Sequence, residues 1–257
     1  CEVGRGGNSV ATPPNNATLP GYRLWEGDVP LLYPPRLADQ TREVQHYLTQ
    51  GTDVLSEVLA VGPPDATAML VANEDWKNAP RESGRPYPPG LPYFTRSVAP
   101  PALVLPEALS PVFQPRTMAT LPLAIWHELA HAFLLQREVV KTPAWLGEFL
   151  PQAAAVIVAR RMGLSMSDHL NDIEDAPGLT VRGFEGRGEA GSQMLHQNLL
   201  LRFATAALEE FGEGFLERLS RALWDEDEIV DERRAEKLLA AALGPCGAEW
   251  LRSRPEF

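Results

Sequence analysis

Apolar positions divide the chain into short dense runs in its first half and long helical periodicities in its second. From Leu37 to Leu59, the residues Val44, Tyr47, Leu48, Leu55, Val58 and Leu59 recur at the spacing of a helix buried along one face. Gly62-Pro63-Pro64 stops that helix. Ahead of it, YRLWEG (22–27) reads as a short strand, and VPLLYPP (29–35) leads into the helix. Behind it, ATAMLVAN (66–73) has the composition of a buried strand. Residues 74–98 are rich in Pro, Gly, Arg and Tyr and predict a long irregular connection, with LPYFTRS and PALVLPE as further strand candidates.

The second half is helical. Leu121 to Val140 reads as a helix whose buried surface is filled by Leu, Ala, Ile and Phe, with Thr120 as its expected N-cap and Pro122 suited to a first turn. Thr142-Pro143 marks the start of a second helix, with Trp145 and Leu146 as anchors. Gln152 to Met162 is rich in Ala, Val and Ile and ends in Arg160-Arg161, cations suited to a helix C-terminus. Residues 163–191 predict a loop region with one short helix around His169, a histidine expected to be solvated, as is His46. GSQMLHQNLLLRFATAALEEFGEGFLERLSRAL predicts two helices broken at Gly212. The acidic stretch from Trp224 to Arg234 lacks the alternating oxygen ligands and central glycine of a calcium loop and reads as a solvated turn and helix start. Two short helices close the chain. The expectation is an α+β fold in one domain over 21–257, with a small sheet and helices in 21–119 and a mainly helical part in 120–257.

Composition changes this picture in few places. A net charge of −11 over 257 residues opposes nucleic acid or anionic lipid as a main partner. No apolar run reaches the roughly 18–20 residues of a membrane span. Residues 1–20 are rich in Gly, Pro, Asn and small polar residues and read as a flexible tether. The tether begins at Cys1, which resembles a mature bacterial lipoprotein whose N-terminal cysteine carries the lipid. That resemblance implies an exported, cell-envelope protein with a lipid anchor at Cys1; the other reading is a chain boundary that happens to fall at a cysteine. A Cys1–Cys246 disulfide is conceivable, and two cysteines alone do not establish it.

The candidate chemistry lies in HELAH (127–131). Four residues apart on a helix, His127 and His131 share a face with Cβ atoms about 5–6 Å apart. They can take adjacent corners of a zinc tetrahedron, and Glu128 beside them is the expected general base. The plain alternative is a pair of core histidines satisfied by backbone carbonyls. The metzincin continuation is excluded, because Leu134 and Arg137 stand where that class needs glycine and histidine. Glu148, in TPAWLGEF near the start of the second helix, can supply a third ligand and leave one zinc position open.

HELAH followed by PAWLGE resembles the gluzincin zinc metallopeptidases, in particular an MA-clan group whose second motif reads P-x-W-L-x-E-G-x-A. The resemblance implies a zinc cleft between sheet and helices, one zinc per chain on His127, His131 and Glu148, Glu128 as base, and a peptide or protein substrate. It also implies that the strand ahead of the active-site helix, Ala102 to Leu105 here, pairs with extended substrate; a purely structural strand is the equal alternative. No GxMEN motif occurs, which points to an endopeptidase over an aminopeptidase.

The chain departs from this family at several positions. Phe149 and Pro151 replace its glycine and alanine, and Pro151 predicts a kink or restart of the helix. Gln152 stands where relatives often carry a carboxylate that orients a zinc histidine, and its amide oxygen can accept that N–H without adding charge. In the third family block a helix presents a tyrosine. All five tyrosines here precede residue 94, and His196 falls near that position as the candidate oxyanion donor. These departures keep two rivals open. One is a catalytically weak or inactive gluzincin-fold zinc module acting as a protein-interaction domain, and the other is a helical interaction protein with a chance HELAH.

Overall fold

A computed structural model describes residues 19–82, 87–113, 117–137, 141–171, 178–186 and 189–257. Among them, the short apolar runs form a five-stranded sheet, with strands β1 (Arg23–Trp25), β2 (Leu31–Tyr33), β3 (Thr67–Val71), β4 (Tyr93–Thr95) and β5 (Ala102–Pro106). Their order is β1-β2-β3-β5-β4. The inner three run parallel, and each edge strand is antiparallel to its neighbour. Parallel β2 and β3 need a crossover, which α1 (Ala38–Leu59) supplies.

Alternation along the strands separates two apolar layers. Ala68, Leu70, Leu103 and Leu105 join the cluster that contains the helices, while Met69, Val71, Ala102 and Val104 pack on the opposite side with Leu19, Trp76 and Tyr93. Both faces are covered, so β3 and β5 are buried at every position and, Thr67 apart, apolar throughout, with no polar alternation. Leu19, in the segment expected to be tether, packs against the sheet. Residues 1–18, with Cys1, its expected anchor and the conceivable Cys1–Cys246 bridge, lie outside the described residues.

One expectation about the sheet is corrected. Ala102 to Leu105 is an interior strand, bonded to β3 on one side and to β4 on the other. It has no open edge for an added chain. The chain passes through β4 before β5 but places β4 outermost, and that edge strand packs against the helix that carries HELAH.

The helical part comprises α2 (Thr120–Leu134), α3 (Ala144–Arg161), α4 (Met166–Asn171), α5 (Ala190–Phe211), α6 (Gly214–Trp224), α7 (Glu232–Leu243) and α8 (Gly247–Ser253). One apolar cluster runs from the inner face of the sheet through α1, α2 and α3 to α8. At its centre lies α3, buried at every position from Ala153 to Ala159, as expected of a helix that is apolar all round. This helix continues through Pro151 as one element, so the expected restart does not occur. Thr120 is the first residue of α2 and does not cap it; its hydroxyl accepts from the Thr117 N–H at 2.9 Å. Gly212, at φ 71°, breaks α5 from α6 as expected.

The seating of α2 against α1 depends on a glycine. A Cβ at Gly51 would lie 2.6 Å from Trp126 Cδ1 and 2.8 Å from Leu129 Cδ2, so only glycine admits this approach. The Trp126 indole then donates to the Tyr47 carbonyl at 2.8 Å. At its far end α2 is held by Trp224, whose indole donates to the Leu134 carbonyl at 3.1 Å. No described helix is long and apolar enough to cross a membrane.

Two stability predictions follow from local geometry. Ala60 ends α1 in the left-handed region at φ 52°, a conformation that costs a residue bearing a Cβ and costs glycine little. Ala60→Gly should therefore stabilise the fold by roughly 0.5–1 kcal/mol in urea denaturation, less any extra chain entropy of the unfolded state. Arg36 ties Glu107, after β5, to Glu74, after β3, and its hydrogen bonds hold the Glu107 carboxyl down at about 2 against an ordinary 4.5. A lowered carboxyl contributes stability above its unfolded pKa and loses it as pH falls through the folded one. Stability should thus decline from about pH 4.5 toward 2, and Glu107→Gln should flatten that part of the urea midpoint profile.

Candidate metal centre

Helical spacing places His127 and His131 on one face of α2, with ring centroids 4.9 Å apart and planes at 78°. Trp145, Leu146, Phe149 and Leu150 are buried around Glu148 on the opening turns of α3, which fixes the side from which its carboxylate approaches. Glu148 Oε2 lies 3.1 Å from His127 Nε2 and 3.8 Å from His131 Nε2. The potential ligand atoms of the three residues all lie within 4.8 Å of one another.

That spacing suits one small cation. Zinc at about 2.0–2.1 Å from each ligand places tetrahedral ligand atoms about 3.3 Å apart, between the two observed separations. Two imidazoles and one carboxylate also form a donor set suited to zinc, with a fourth position left open. The electrostatics favour an anionic ligand. Burial pushes the Glu148 carboxyl up, but His131 and His127 more than offset it and hold it well below the usual range. Burial likewise lowers the His131 imidazole, and the Glu148 and Glu128 carboxylates bring it back above its ordinary value.

Glu128 is in a different environment. It is buried, and burial raises its pKa against the lowering influence of the two histidines. The backbone N–H of Phe94 in β4 hydrogen-bonds it, and the Phe94 ring lies nearly parallel to His131 at 6.5 Å. The edge strand thus sits directly against Glu128 and one of the candidate ligands.

A cavity of about 190 Å³ opens beside His127 and Glu128. Its wall combines apolar groups such as Leu123, Phe113 and Met194 with the amides of Gln152, Gln193 and Gln197. His169 also lines it, buried, with Nδ1 2.9 Å from the Thr117 hydroxyl. This corrects the expectation of a solvated His169. Its spacing three residues after the buried Met166 puts it on the inward face of α4, a signal present in the sequence but short. His46 is exposed, as expected.

The other two site expectations are altered. The structure does not bring His196 to the cavity. Its ring packs on Phe184 at 5.7 Å, and its Nδ1 lies 3.3 Å from the Ser192 carbonyl oxygen. The neighbouring residue, Gln197, is the one that reaches the cluster, donating to Glu148 Oε2 at 2.8 Å. Gln152 does not orient a zinc histidine; its amide donates to Gln197 Oε1 at 2.6 Å. His127 Nδ1 is left buried with no hydrogen-bond partner among the described residues.

No protein-family model and no curated protein matches the chain. The three-residue cluster itself generates a direct expectation. Purified protein reconstituted with zinc should hold about one ion per chain, measured by plasma mass spectrometry. Glu148→Ala should lose it, and equal metal content in the two proteins would remove the site.

Proposed function

We propose that the chain is a zinc-dependent peptidase of gluzincin type, cleaving internal peptide bonds. The observation that carries this reading is the convergence of His127, His131 and Glu148 within 4.8 Å, with His127 and the buried Glu128 lining one cavity. Core histidines satisfied by carbonyls would not gather a carboxylate between them. The resemblance of HELAH and PAWLGE to the gluzincin motifs points the same way.

His127, His131 and Glu148 would hold the ion. A zinc ion so held supplies Lewis acidity, which lowers the pKa of water and polarises a carbonyl. Glu128 then takes a proton from the attacking water and delivers it to the leaving amine. Its burial suits the first step, since a carboxylate whose pKa is raised by burial is a better base than a solvated one. The Phe94 backbone at the sheet edge lies against this carboxylate and favours its charged form. Of the sheet's two edges, β4 is the one beside α2, so an extended substrate would add along β4.

A second reading is favoured by three observations: His196 faces Phe184, Gln152 is engaged with Gln197, and His127 Nδ1 has no orienting partner among the described residues. An imidazole without that partner is a weaker and less fixed ligand. On this reading the centre binds zinc and a polypeptide with little or no turnover.

The two readings separate in one experiment. Glu128→Gln keeps the shape of the side chain and removes the base. Cleavage of an unfolded-protein and peptide library by the wild type should fall by at least about 10²-fold in the variant, with zinc content unchanged. Equal cleavage by both would reject Glu128 as base. Binding of library members without cleavage by the wild type would select the second reading.

A further inference from the structure

We propose that Gln197 is a positioning residue for the Glu148 carboxylate and that Gln152 holds Gln197 in this task. The two form a neutral amide relay from α3 through α5 back to α3. The inference rests on the reading of Glu148 as a metal ligand for its functional meaning, though not for its geometry.

The direction of the relay is set by its end. An ionised carboxylate only accepts, so Gln197 must present its NH2 to Glu148 Oε2, at 2.8 Å. Its oxygen is thereby turned toward Gln152, which must present its own NH2, at 2.6 Å. Neither amide can be reversed without placing two acceptors or two donors face to face. The spacing between the two helices is held by packing, with the Phe149 and Phe203 rings 5.6 Å apart.

A glutamate side chain has several rotatable bonds, and a ligand left free to turn must be ordered when the ion arrives. Here the ordering precedes the ion. The histidine contacts to Glu148 involve Nε2, the nitrogens that would turn to a metal, whereas the amide bond from Gln197 does not depend on one. An amide also adds no charge. Glu128 and Glu148 already share the site, and a third carboxylate would repel both.

The test combines zinc affinity with a cycle on the metal-free protein. Zinc is titrated against a chromophoric chelator for wild type, Gln197→Met, Gln152→Met and the double variant. Gln197→Met, of similar length but without a donor, should weaken zinc by about 10–100-fold. Gln152→Met should cost less. The double variant should match Gln197→Met within about twofold, because Gln152 acts through Gln197. In metal-free protein, urea unfolding of Gln197→Met, Glu148→Met and their combination should show a coupling of at least about tenfold in the unfolding constant, the range of hydrogen bonds to charged groups.

Unchanged zinc affinity in Gln197→Met, coupling below about twofold, or additive losses for the two glutamines would each overturn the relay. A wild type that takes no zinc yet shows the full coupling would sink the metal centre and still support the relay.

Discussion

The arrangement around α2 and α3 depends on keeping an ionised carboxylate in ground that is largely withdrawn from water. A charge so placed is costly unless other groups satisfy it. Glu148 meets two imidazoles and one amide at a single oxygen. Those partners come from α2 and α5, so three helices must hold their mutual positions for the charge to be tolerated. Trp126, Trp145 and Phe149 are fully buried beside these contacts and give the helices little freedom to shift. The apolar core and the polar cluster are therefore one construction, since loosening the first would leave the second with an unpartnered charge.

How much of this could be read from the chain depends on whether a feature is local. The two histidines and Glu128 lie within five consecutive residues, and helical geometry alone places them. Glu148 carried a signal of another kind, the Pro-Ala-Trp-Leu-Gly-Glu spelling after the first motif. Gln197 had neither, because its role arises from a packing contact between α5 and α3. The expectation fell on His196, one position away, and one step on a helix turns a side chain through about 100°. That single step separates a residue facing Phe184 from one facing the carboxylate.

The sheet shows the same limit. The strands themselves were visible as apolar runs, and the α1 crossover was visible as a periodicity. Strand order was not, because nothing in LPYFTRS or PALVLPE states which of them lies outermost. Burial on both faces also removes the alternation that usually separates an edge strand from an interior one. The consequence is functional as well as topological. Both β4 and β5 pack against α2, but β4 is the edge, and its Phe94 approaches the site through both its backbone and its ring.

Gly51 carries none of the chemistry and sits on a helix that contributes no residue to the cluster. A single added methyl there would collide with Trp126 and Leu129, the neighbours of His127 and His131 along α2. The nearest relief is for α2 to move as a body, taking both imidazoles away from Glu148. In a screen of random substitutions, damage at this glycine would be indistinguishable from damage to a ligand, though no distance measured from the site would nominate it. The reach of the centre through the molecule is set by which helices cannot separate, and α1 belongs to it by virtue of the side chain it lacks.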